Sequence, residues 1–176
     1  MKIHIGKNQY LLAKTGIENI ECDRYLSVKG YSLYLGDSCR HMIHEGDRGS
    51  VCVIGYAVDI DNPEYTTDDM CRVLLTNASL DNIGPSCTEN WCGRWIVIAF
   101  FENKVFSWND ACALKQLFYD YECSTFASQA RYIAYSKGYI LDGAAKAYID
   151  TAKQVDKEYS WPVDTTLYQS VKRLLP

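Results

Sequence analysis

Apolar residues fall in short blocks along most of this chain, and that pattern predicts strands more often than helices. The segments KIHI and QYLLA flank Gly6-Lys7-Asn8, which reads as a hairpin turn. RYLSVKG and YSLYLG are two further short strands. VCVIGYAVDI is a strongly apolar strand that ends at the turn Asp61-Asn62-Pro63. A helix is predicted from about Thr67 to Asn77. Thr66 and Asp69 stand at capping-box spacing, and the charges of Asp68 and Asp69 suit a helix N-terminus. Met70, Val73 and Leu74 give that helix an apolar side. The stretch SLDNIGPSCTENWC reads as a loop around Gly84-Pro85.

The clearest block follows. RWIVIAFF is a strand, Glu102-Asn103-Lys104 a turn and VFSW a second strand. Asn109-Asp110 opens the next connection, which reverses the chain into a third strand, LKQLFYD. A short Asx side chain can hydrogen-bond its own backbone at such a turn. STFAS is a fourth strand, leading to a helix over QARYIAYSKG. The whole reads as an antiparallel meander closed by a helix, with no βαβ pattern. A further helix spans about residues 142 to 155, in DGAAKAYIDTAKQV. In the tail DTTLYQSVKRLLP, Tyr168, Val171, Leu174 and Leu175 fall on one helical face. Runs of strands with helices set between them indicate an α+β fold. WIVIAFF is apolar at nearly every position, as expected of a strand buried on both faces. A helix/sheet/sheet/helix stack satisfies that requirement. Neither repeat nor linker divides the chain, so residues 1–176 read as one domain.

Composition narrows the function classes. A chain of 176 residues suits a single core, and 14 tyrosines suit half-buried strand surfaces. The net charge of −4 gives no attraction for a phosphate backbone, so nucleic acid is not expected as a partner. WIVIAFF is too short to span a bilayer, and MKIHIGKNQY lacks the apolar core of a secretory leader. A cytoplasmic location is the expectation, with no membrane partner; self-association is left open. Of the 8 cysteines, none forms a C-x-x-C pair. Buried, reduced thiols are therefore expected rather than a zinc ribbon or a redox couple.

Several residues of the central block carry a resemblance. Gly93-Arg94-Trp95 opens a strand and is followed by a hairpin, Asn109-Asp110, Leu117-Phe118-Tyr119 and then Phe126-Ala127-Ser128-Gln129. This order resembles the N-terminal glutaminase-like domain of asparagine synthetases, which has a Gly-Arg-Phe strand, an Arg-Asp turn and a Phe-Ala-Ser-Glu segment before a helix. The tail Thr166-Leu167-Tyr168-Gln169-Ser170-Val171-Lys172-Arg173-Leu174-Leu175-Pro176 is similar to the segment that ends such domains. The resemblance implies the Ntn-hydrolase fold, a four-layer αββα sandwich of two antiparallel sheets. It also implies a neighbouring synthetase-type domain, in cis or in trans, that uses ATP and magnesium to form an amide.

The glutaminase chemistry of that family needs a cysteine at the mature N-terminus, with its own α-amine as base. Here Met1 is followed by Lys2, Ile3 and His4, and the first cysteine is Cys22. The family's Asn-Gly-Glu substrate strand matches Ile54-Gly55-Tyr56, which lacks both the amide and the carboxylate. Ala113, Lys115 and Gln116 stand where the family has glycine, arginine and proline, and Gln129 replaces a glutamate. No catalytic, cofactor-binding or metal-binding residue is therefore assigned to this chain. The family's Ser-Gly-Gly-x-Asp-Ser nucleotide loop does not occur in it.

Other groupings have plain structural readings. Cys39, His41 and His44 could share a helical face and hold a metal, but a polar loop with incidental histidines explains them as well. Cys92 beside Arg94 reads as a buried thiol at a strand start, with Arg94 paired to a carboxylate. Asp110 on the neighbouring strand is the expected partner. Asp68-Asp69 is helix-terminal charge, and Lys172-Arg173 the solvated side of a last helix. Trp91, Trp95, Trp108 and Trp161 read as core and interface anchors. The expected role is a catalytically silent glutaminase-like domain supporting an ATP-dependent amide-forming domain. A stand-alone binding module, or an enzyme with another site on the same scaffold, is the alternative.

Overall fold

A computed structural model describes residues 2–155 and 164–175. The strands are β1 (Ile3–His4), β2 (Tyr10–Ala13), β3 (Ile20–Glu21), β4 (Arg24–Val28), β5 (Tyr31–Leu35), β6 (His41–Gly46) and β7 (Gly49–Asp59). Helix α1 (Thr67–Asn77) and a 3-10 turn (Pro85–Thr88) precede β8 (Trp91–Phe101), β9 (Lys104–Asn109), β10 (Phe118–Asp120) and β11 (Thr125–Ala127). Helices α2 (Ala130–Lys137) and α3 (Gly143–Val155) follow, and β12 (Val171–Arg173) comes last. The fold is α+β, with three sheets and three α-helices among the described residues.

Strand order shows how the chain is threaded. The four-stranded sheet runs β6-β7-β8-β9 and the six-stranded sheet β12-β10-β11-β2-β5-β4, each with antiparallel neighbours. The predicted meander therefore divides. The β8–β9 hairpin lies in one sheet, while β10 and β11 lie in the other. The Asp110 turn does not reverse the chain between neighbouring strands; it begins the crossing from one sheet to the next.

Three apolar clusters account for the burial. The first draws on both sheets, with Leu12, Leu33 and Phe126 from one and Ile54, Ile96 and Ile98 from the other. Tyr31 and Phe100 meet there with ring centroids 5.0 Å apart. The second joins the opposite face of the four-stranded sheet (Val53, Val97, Phe101) to Met70, Cys71 and Leu74 of α1. The third joins Leu11, Tyr34 and Ala127 to Tyr132, Ile133 and Ala134 of α2. β8 thus alternates between two apolar environments, and Trp95 to Phe101 is buried throughout. This is why its sequence reads as an unbroken apolar run.

Turns set the registers locally. Lys29 and Gly30 (φ 46° and 78°) close β4 on β5, and Glu102 and Asn103 (φ 46° and 64°) close β8 on β9. Two successive positive φ values match the right-handed twist of a hairpin. Helix α1 begins with the predicted capping box: Asp69 N–H donates to Thr66 Oγ1 at 3.2 Å, and Thr66 N–H donates to Asp69 Oδ2 at 3.1 Å. Such a cap contributes about 1 kcal/mol.

Two expected elements differ. β1 does not form a hairpin with β2; it pairs in parallel with β3, Ile3 opposite Ile20. The turn at Gly6 exists, with Gln9 N–H donating to the Gly6 carbonyl at 3.0 Å, but it delivers β2 into another sheet. The tail is a strand rather than a helix. Val171 pairs with Asp120 and Arg173 with Phe118, and Val171 is buried. Thr166 Oγ1 donates to the Val171 carbonyl at 3.0 Å, and Ser170 takes φ 62°, which breaks a helical path.

Candidate functional site

A cleft of about 540 Å³ is walled by the start of β4, the β5–β6 connection, β6, the middle of β7 and the first residue of α1. Its floor includes Gly55 and Tyr56 of β7, where two glycines bring β7 and β8 close together. Gly55 on β7 and Gly93 on β8 have φ of 123° and 126°. A Cβ at Gly55 would run into the Arg94 carbonyl, and one at Gly93 into the Tyr56 carbonyl. Only glycine fits such a close approach at positive φ. The pair sets Tyr56 directly opposite Arg94 in register.

Arg40 is fixed to this floor by its backbone. Gly55 N–H donates to the Arg40 carbonyl at 2.8 Å, and the Arg40 guanidinium sits 6.0 Å from the Tyr56 ring centroid. His41 Nδ1 is 3.0 Å from the Cys39 carbonyl oxygen, which accepts its proton and leaves Nε2 unengaged. Lys115 arrives from the Asp110 turn. Its Cδ lies 3.0 Å from the place a Gly55 Cβ would occupy. The Asp110 carboxylate, 3% exposed, accepts the N–H groups of Cys112, Leu114 and Lys115 at 3.2, 3.0 and 3.1 Å. It is the predicted Asx pattern, and it holds the backbone from which Lys115 reaches across. Asp23 and Asp37 add carboxylates to the same wall. Burial pushes the Cys39 thiol up, and the nearby Lys115 charge offsets this only in part. Cys39 is therefore a poor source of thiolate. The cleft is equipped to bind polar groups rather than to attack them.

Neither protein-family models nor curated proteins match this chain.

The residues singled out in the sequence take other places. β6 is a strand, so His41 and His44 point to opposite faces instead of sharing a helical one. His44 Nδ1 lies 2.8 Å from Asp68 Oδ1, tying β6 to α1. Among the described residues no group of three or more His, Cys, Asp or Glu converges as a metal site. Arg94 is exposed, and Asp110 is satisfied by backbone N–H groups rather than by that guanidinium. Cys92 is exposed and not buried, as are Cys112 and Cys123, whereas Cys39, Cys52 and Cys71 are buried. Trp95 and Trp108 are core residues, Trp91 packs edge-on against Trp95 with centroids 5.6 Å apart, and Trp161 lies outside the described residues. Lys172 sits on β12 and pairs with Asp164 at 3.0 Å. Gln129 is the N-cap of α2 without a side-chain cap bond.

The Arg40–Tyr56–Lys115 grouping escaped sequence reasoning because its members come from three separate segments. Lys115 was visible only as a replacement within the turn. The one local signal was Gly55, an isolated glycine inside a strand pattern, which marks a close backbone approach.

Proposed function

We propose that this chain is a glutaminase-like domain, of the type found in asparagine-synthetase-related proteins, that does not hydrolyse glutamine and supports an ATP-dependent amide-forming domain. The observation that carries this reading is the order of the clusters. Two antiparallel sheets share one apolar cluster, and each is backed by a helix through another. Such an order of clusters is what the αββα Ntn-hydrolase reading requires, and it supports that reading. ATP and magnesium belong to the partner domain in this reading, and none of their ligands is assigned here.

The silence of the site rests on its chemistry. A terminal-nucleophile hydrolase needs a thiol beside a free α-amine. The segment before β2 is instead bound into the fold: Ile5 N–H donates to the Glu21 carbonyl at 2.9 Å, and Asn8 N–H to the Asp37 carbonyl at 2.8 Å. Cys22 is half-buried, and burial raises its thiol. Exposed apolar side chains lie beside the tail, at Ile140, Leu141 and Leu167, where Leu141 bridges to Tyr168. Such a patch suits a partner domain.

Ammonia release from glutamine tests the silence: no turnover above background is expected, and measurable turnover overturns it. The transcript beyond the Pro176 codon tests the partner. A Ser-Gly-Gly-x-Asp segment downstream is expected, or its occurrence in a protein that co-purifies with this chain.

A further inference from the structure

We propose that the cleft between β4, β6 and β7 is a binding site for a small anionic molecule, held through a carboxylate or phosphate group by Arg40 with Lys115 beside it. The inference stands on the cleft itself and holds whether or not the glutaminase-like reading does.

The argument starts from charge. The chain is acidic overall, yet Arg24 and Arg40 line one 540 Å³ cleft, and the Lys115 side chain passes its lining residue Gly55. Lys2, Arg72, Lys137 and Lys172 have carboxylate partners in Glu21, Asp69, Asp120 and Asp164, while Arg94 and Lys104, which lie outside the cleft, have none among the described residues. Arg24, Arg40 and Lys115 make no ion pair or side-chain hydrogen bond among the described residues. Asp23 and Asp37 share the wall but leave both guanidinium groups unpaired.

Geometry adds to charge. Arg40 lies against the Tyr56 ring, a contact that restricts the guanidinium while leaving its N–H donors without protein acceptors. A planar fork so placed matches the two oxygens of a carboxylate or phosphate. Its backbone is anchored by the Gly55 N–H, and Gly55, which has no Cβ, leaves open the space Lys115 crosses. The two cations are thus positioned by separate devices, a strand glycine and an Asx turn.

Titration calorimetry of the full chain with orthophosphate, and separately with succinate, tests the site. Saturable binding of either is expected. Succinate alone would identify a carboxylate site and orthophosphate alone a phosphate site. Arg40→Ala weakens that binding about tenfold or more, Arg40→Lys less so, and Lys115→Ala weakens it as well. Asp37→Asn tightens it by removing a competing charge. Lys104→Ala, on β9, leaves it unchanged. The Arg40 side chain is exposed and its fold contact is made by the main chain, so Arg40→Ala should stay folded, as circular dichroism would verify. No saturation by either ligand up to about 10 mM overturns the proposal, and so does binding that Arg40→Ala leaves intact.

Discussion

The Asp110 carboxylate accepts three backbone N–H groups while nearly sealed from water. Removing it leaves three part-buried donors without their acceptor, and charge-assisted bonds of this kind are the costly ones to lose. Asp110→Ala should destabilise the chain by about 2–4 kcal/mol, read from urea unfolding, and Asp110→Asn by less because one acceptor oxygen remains. Gly93 is a second position without slack. Gly93→Ala places a methyl group against the Tyr56 carbonyl at a φ of 126°, so a large loss of thermal stability is expected by calorimetry. An alanine that left the melting temperature unchanged would contradict the close β7–β8 approach described above.

At the scale of elements, α1 offers a pH-dependent reading. The hydroxyl of Thr66, followed by the Arg72 guanidinium, lowers the Asp69 carboxyl to about 2 from its ordinary 3.8. A depressed folded-state value means stability that is present above the unfolded value and lost as pH falls through the folded one. The cap should therefore weaken between about pH 4 and pH 2. Asp69→Asn should flatten the acid limb of the unfolding curve in that window. The same helix illustrates what the sequence made legible: its bounds and capping box lie within a dozen consecutive residues, whereas its buried side is Met70, Cys71, Leu74 and Leu75 and the expected Val73 is exposed. The hairpin turn at Glu102-Asn103 was legible for the same reason, whereas the one at Lys29-Gly30 fell inside a segment read as strand. The tail was not legible. Tyr168, Val171, Leu174 and Leu175 have helical spacing, but Val171 gains burial by pairing with Asp120, far upstream. A long-range ladder outweighs a weak local preference. β1 failed likewise, because its partner β3 lies beyond the strand it was expected to meet.

Across the whole molecule, the layers sort the cysteines. Several of them sit in apolar segments, which predicts buried thiols; the fold exposes Cys92, Cys112 and Cys123. Burial pushes the Cys71 thiol up to about 12 and raises Cys52 further, through desolvation first. Iodoacetamide labelling at pH 8 with mass spectrometry should modify Cys92 and Cys112 first and Cys123 more slowly, since partial burial and then Asp120 raise its thiol. Cys52 and Cys71 should react only after unfolding. The α+β class and the two-faced burial of WIVIAFF were legible because composition and period carry them. The cleft was not, because it is assembled where distant segments meet.

The six-stranded sheet takes β2, β4 and β5 from the first part of the chain and β10, β11 and β12 from the last, with the four-stranded sheet inserted between. During synthesis, then, the β2 flank stays bare until Thr125–Ala127 has left the ribosome. An unpaired edge held open that long invites the wrong neighbour, and a nascent chain stalled there is the species a chaperone has to shield.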